Sequence, residues 1–130
     1  MNMRVLIVDT SIAIIQRLKD LISPLEFIQD VDMALSYEDA KAGFSSALPE
    51  AVLLDMELPA KKSFDFLSEL KASDLGILVI AMAGTAVEGL KEKSLALGAR
   101  YFIDKYSEFE KVPKLLGDIY LHKKEVGFSK

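Results

Sequence analysis

Short apolar runs alternate with stretches of helical spacing along the whole chain. Arg4-Val-Leu-Ile-Val8 reads as a first strand. After Asp9-Thr10-Ser11, the residues Ile12, Ile15, Leu18 and Ile22 recur at the spacing of one helix face until Pro24. Phe27 to Ala34 predicts a second strand, and Asp30 and Asp32 within it suit an edge. Ser36 with Asp39 predicts a capped helix running toward Leu48. Pro49 and Glu50 then lead into a third strand, Ala51 to Leu54. A third helix is expected over Phe64 to Ala72, burying Phe64, Leu67 and Leu70, or Leu67 with the stem of Lys71. Ile77 to Ala81 reads as a fourth strand. Thr85 followed by Glu88 has capping-box spacing for a fourth helix, whose end Gly98 marks. Tyr101 to Ile103 is the fifth strand, and a last helix covers Val112 to Lys124, with Pro113 in its first turn.

Strands that are apolar throughout, such as Ala51 to Leu54, are buried on both faces. Strand–helix alternation with such strands predicts a parallel sheet covered by helices on each side. Right-handed crossovers make a doubly wound α/β domain the natural solution. In these sheets a site lies outside the carboxyl ends of the strands, where the strand order reverses. Those ends carry Asp9, Asp55, Ala83-Gly84 and Asp104-Lys105. Asp9 alone reads equally well as a helix cap, and Lys105 alone as a neutralising partner of Asp55. Two acids and a cation at the ends of three different strands point instead to a common site.

Composition narrows the function classes. The 130 residues suffice for one domain with a core, expected over 1–125 with 126–130 as a C-terminal tail. Apolar residues make up 51% and charged ones 28%, and the net charge of −4 argues against nucleic acid as a direct partner. No apolar stretch approaches the roughly 20 residues that cross a membrane. Met-Asn-Met-Arg runs straight into the first strand without a signal-peptide pattern. The expectation is therefore a cytoplasmic protein with no membrane partner. The absence of cysteine excludes disulfides, thiol nucleophiles and cysteine metal sites. The single histidine, His122, reads as a solvated side chain in a basic stretch.

The segments "RVLIVDTS", "AVLLDMELP" and "GARYFIDK" resemble the first, third and fifth strand motifs of CheY-like receiver domains of two-component response regulators. "VIAMAGTAVEGLKEKSLALGA" is similar to the fourth strand and helix of that family. The resemblance spans essentially the whole chain. It implies a flavodoxin-like (βα)5 fold with a five-stranded parallel sheet in the order 2-1-3-4-5. It also implies that Asp55 accepts a phosphoryl group from a histidine kinase or phosphotransfer protein in a phosphorelay. Mg²⁺ would be held by Asp9, Asp55 and the backbone carbonyl of Glu57. Lys105 would meet a phosphoryl oxygen, and backbone N–H groups near Met56 and Gly84 would hold the others. Signalling to a downstream protein target, or homodimerisation, would use the face of helix four, strand five and helix five. Such a protein is no enzyme beyond its own phosphorylation and dephosphorylation.

Several positions depart from the family pattern. Thr10 stands where a second acid is usual and offers only a neutral oxygen, so weakened Mg²⁺ binding is expected. Glu57 has two readings, an inward third acid or a solvated loop carboxylate. Ala83 replaces the switch threonine or serine; Thr85 lies nearby, though its spacing suits a helix cap better. Phe102 occupies the switch-aromatic position. Tyr106 replaces the proline after the lysine, which makes a cis peptide there less favourable. Ser63 replaces a turn glycine, and Lys61-Lys62 read either as a draw for an anionic partner or as solvated surface. Because Thr10 and Ala83 strike the chemistry rather than the core, a phosphorylation-independent pseudo-receiver acting as an interaction module is the alternative. A haloacid-dehalogenase-type phosphatase fits poorly: Asp9 has Ser11 where that class needs a second acid, and Asp55-Met-Glu57 is followed by Leu58-Pro59. Only Glu125 to Lys130 follow the last predicted helix, so action by docking to a partner is expected, with a fragment of a longer regulator or hybrid kinase as the open alternative.

Overall fold

The computed structural model describes residues 2–44, 47–84 and 87–126. Five strands alternate with five helices: β1 (Met3–Val8), α1 (Ile12–Ile22), β2 (Ile28–Ala34), α2 (Tyr37–Gly43), β3 (Ala51–Asp55), α3 (Lys62–Ala72), β4 (Leu78–Ala83), α4 (Leu90–Ala96), β5 (Tyr101–Asp104) and α5 (Val112–Val126). The strands form one sheet in the order β2-β1-β3-β4-β5, and every pairing is parallel. The doubly wound fold with the 2-1-3-4-5 order is thus present. The order reverses at β1, which lies between β2 and β3.

Alternate residues of each strand feed two separate cores. Leu6, Val8, Val52 and Leu54 pack with Phe66, Leu67 and Leu70 of α3 and Leu90 of α4. Val5, Ile7, Ala51 and Leu53 pack with Ile15 and Leu18 of α1 and Leu116 and Ile119 of α5. Each such leucine or isoleucine contributes about 1.5–3 kcal/mol by leaving water. That is why the central strands show no polar alternation. β2 is an edge, as Asp30 and Asp32 suggested, and Asp30 meets Arg4 of β1 at 2.7 Å.

The boundaries moved for local reasons. The α2 helix ends at Gly43 rather than near Leu48, consistent with the helix cost of glycine and with Pro49 disfavouring helical backbone at Leu48. The expected Thr85 cap lies outside the described residues. Glu88 sits in a turn, and α4 begins at Leu90 because Gly89 takes φ +77°, off the helical path. Its end is as predicted: the Gly98 N–H bonds to the Leu95 carbonyl and the Ala99 N–H to the Ser94 carbonyl, a Schellman closure. The α3 stripe is Ser63, Phe66, Leu67 and Leu70, while Phe64 is only half-buried. A serine at its first position hid that stripe. Lys123 of α5 is buried and donates to the Gly76 carbonyl; burial lowers its pKa, and the charge of Glu50 opposes that shift.

Candidate functional site

Strand alternation aims three charged residues to one side. Asp55 follows Ala51 and Leu53 on the α1/α5 face of β3. Asp9 and Lys105 continue the same alternation beyond Val5-Ile7 and Ile103. The Lys105 ammonium lies 3.0 Å from Asp9 Oδ2 and 3.2 Å from Asp55 Oδ2. All three side chains are buried, the two acids almost completely. The remaining carboxylate oxygens are held as well: Asp9 Oδ1 accepts from the Ser11 N–H at 2.8 Å, and Asp55 Oδ1 from the Glu57 N–H at 2.9 Å. Asp9 therefore does not cap α1 itself. Ser11 does so, accepting from the Ile14 N–H at 3.3 Å.

One ammonium between two carboxylates leaves one negative charge unbalanced. Burial raises the Asp55 carboxyl above its usual range, and the Asp9 charge adds to this. The Glu57 N–H and Lys105 pull the other way without prevailing. Burial works against the charged form of Lys105, but the bond to Asp9 and the Asp55 charge outweigh it, so its pKa is raised. The cation is held firmly, and one of the acids carries the excess charge.

The neighbouring positions differ in how they meet this cluster. Thr10 is exposed. Ala83 is fully buried at the end of β4 and carries no hydroxyl. Phe102 is half-buried against the core on the α3/α4 side. The Met56 N–H, expected near a bound anion, is engaged with the Met82 carbonyl at 2.8 Å; the N–H that faces the Asp55 carboxylate is that of Glu57. The Glu57 side chain is exposed in the loop after β3, as the solvated-carboxylate reading expected, and its Oε2 also accepts from the Gly84 N–H at 3.0 Å. Lys61 is exposed, and the Lys62 ammonium lies over the Tyr37 ring at 5.2 Å. Ser63 is a residue whose part sequence reasoning missed. Its buried hydroxyl donates to the Asp55 carbonyl at 2.5 Å and accepts from the Leu58 N–H at 3.1 Å, tying the strand end to α3. The turn between them holds Ala60 and Lys61 at φ +58° and +57°, a conformation costing roughly 1–2 kcal/mol per residue.

A hard divalent cation suits the unbalanced charge and the oxygen donors. Among the described residues, however, no three acids converge as a metal cluster. No described helix is long and apolar enough to cross a membrane.

A five-stranded 2-1-3-4-5 sheet with two acids and a lysine at its carboxyl edge defines a class, and comparison with known proteins agrees. The family model described as Response regulator receiver domain matches residues 5–116, and the chain belongs to that family. It is 32% identical over 111 residues to a protein-glutamate methylesterase/protein-glutamine glutaminase of Treponema denticola, covering 84% of this chain and 30% of that protein. It is 28% identical over 122 residues to the transcriptional regulatory protein MalR of Bacillus subtilis, covering 94% and 52%. The chain thus spans about half or less of these curated relatives. The response regulator domain of Thermotoga maritima CheB superposes with a TM-score of 0.76 at 25% identity, over 93% of this chain and 96% of that one. A CheY-like receiver domain protein from Methanospirillum hungatei, at 23% identity, shares the fold with a TM-score of 0.81 over 96% and 99%.

Proposed function

We propose that this receiver is phosphorylated on Asp55 and signals to a protein partner. The observation that carries the reading is the buried Asp9–Lys105–Asp55 cluster on the carboxyl edge of the sheet. An aspartate that attacks a phosphohistidine forms an O–P bond as the P–N bond breaks. The electron pair returns to the imidazole, which then takes up a proton. Such transfer depends on positioning and charge neutralisation more than on covalent help from the protein. Asp55 has both oxygens anchored, so its carboxylate plane is fixed. Lys105 is placed to follow the incoming phosphoryl oxygens as Asp55 loses its charge. Mg²⁺ would be held by Asp9, Asp55 and the Glu57 carbonyl, with Thr10 a poor further donor, and would supply the positive charge the cluster lacks. Two anionic ligands make this a weaker site than one with three. The donor is a histidine kinase or phosphotransfer protein. The output surface is α4, β5 and α5, where a target protein or a second copy would dock.

A phosphorylation-independent interaction module is favoured by one observation, the buried Ala83. Position 83 itself offers a phosphoryl group no hydroxyl by which to draw the end of β4 inward. Intact mass after incubation with Mg²⁺ and acetyl phosphate separates the two readings. A phosphoryl adduct on the wild type and none on Asp55→Asn is expected; no adduct on either would favour the module.

A further inference from the structure

We propose that Glu57 is a built-in competitor of the phosphoryl group, its carboxylate occupying the Gly84 N–H until Asp55 is phosphorylated. The inference rests on the reading of Asp55 as phosphoacceptor and concerns how that site is restrained. Glu57 lies two residues beyond Asp55, and its own N–H already bonds to Asp55 Oδ1 at 2.9 Å. Its side chain crosses from the end of β3 to the end of β4, where Oε2 accepts from the Gly84 N–H at 3.0 Å. The Met56 N–H is engaged in the sheet. The Gly84 N–H is a backbone donor just beyond the end of β4, and a carboxylate already accepts from it.

The exposed Tyr106 ring stands beside this contact. A Cβ at Gly84 would lie 3.4 Å from Tyr106 Cε2 and 3.8 Å from Glu57 Oε2. The Tyr106 ring and the Glu57 carboxylate thus both lie against Gly84. The Lys105 ammonium lies 5.7 Å from the centre of the same ring. An anion arriving on Asp55 lies beside the Lys105 ammonium and the Glu57 N–H, and on this proposal it also reaches the Gly84 N–H. Two anionic oxygens repel one another at a single N–H donor, so the phosphoryl group must displace Glu57 to reach it. With alanine at position 83, this N–H is a contact by which the β4 end would sense phosphorylation. Glu57 then sets the threshold for that contact.

Two substitutions separate the contact from the charge. Glu57→Gln removes the charge and keeps an oxygen acceptor of the same reach; Glu57→Ala removes both. Acetyl phosphate with Mg²⁺ is the phosphodonor, the rate of adduct formation is read by intact mass, and the Gly84 amide is read by ¹⁵N NMR without donor. Glu57→Ala is expected to phosphorylate roughly fivefold faster than the Gln variant, the factor for one ordinary hydrogen bond. The Gly84 amide is expected to move in Glu57→Ala and to stay near its wild-type position in Glu57→Gln. Equal rates in the two variants, or a Gly84 amide unmoved by Glu57→Ala, would overturn the competitor. An adduct forming at one rate in all three proteins removes this proposal alone. No adduct in any of them removes the phosphoacceptor reading and the proposal with it.

Discussion

Replacing Lys105 by methionine tests the electrostatics of the cluster directly. The side chain keeps its approximate volume, while Asp9 and Asp55 lose the charge that lies 3.0 and 3.2 Å away. At an effective dielectric constant of about 20, each contact is worth about 5 kcal/mol of gross attraction. Desolvation of the ammonium cancels a large part, because Lys105 is itself buried. Removing one partner of a buried pair typically costs about 3–5 kcal/mol net, since the charge left behind has no compensation. Urea denaturation at pH 7 should therefore show a deficit of about 3–5 kcal/mol for Lys105→Met. Adding Asp55→Asn should recover about 2 kcal/mol, because burial and Asp9 already disfavour the Asp55 charge even with the lysine present.

The pH dependence has a definite sign. A raised carboxyl pKa means its ionisation opposes folding: the penalty is complete above the folded-state value and gone below the ordinary value of 3.8. The Lys105→Met deficit should shrink as the pH falls toward about 4. A raised ammonium pKa stabilises fully below 10.5 and loses its effect as the pH rises through the folded-state value. The wild-type advantage should hold between about pH 7 and 10 and fade above 10.5. A deficit below about 1 kcal/mol at pH 7, the scale of an exposed ion pair, would refute the reasoning and mean that water screens the cluster.

Two further substitutions probe the supports of the site. Ser63→Ala should cost about 1–3 kcal/mol by leaving the buried Leu58 N–H without its acceptor, and it should slow adduct formation on Asp55 by loosening the turn; an unchanged urea midpoint would rule this out. Gly98→Ala should cost about 1–3 kcal/mol, because φ is +118° and the new Cβ would stand 2.7 Å from Lys71 Cδ. Thermal melting by circular dichroism checks it, and an unchanged melting temperature would mean that the chain leaves that conformation cheaply.

Phe66, Glu57 and Ser63 show why part of the structure was hidden in the sequence. Phe64 and Phe66 are equally apolar, and only the rotation of α3 against the sheet selects Phe66 for the core. Glu57 was ambiguous because its partner, Gly84, is 27 positions away. Ser63 looked like a mere substitute for a turn glycine, because its hydroxyl gains meaning only when the chain folds back on Asp55. By contrast, Asp9, Asp55 and Lys105 were legible, because each ends an apolar run and strand ends in a parallel sheet gather on one edge.

Apolar period and punctuation by Gly98, Pro49 and Ser36 are local properties. Together with the crossover rule they determined the elements, the sheet and the edge on which the charges meet. Distances between remote residues are not local. Lys105 reaches Asp9 across 96 positions, and whether that lysine meets one acid or two is decided by packing that brings the strand ends into register. The direction of the Glu57 carboxylate was likewise left to the tertiary structure, because a flexible side chain with several possible donors takes the one that the fold places within reach.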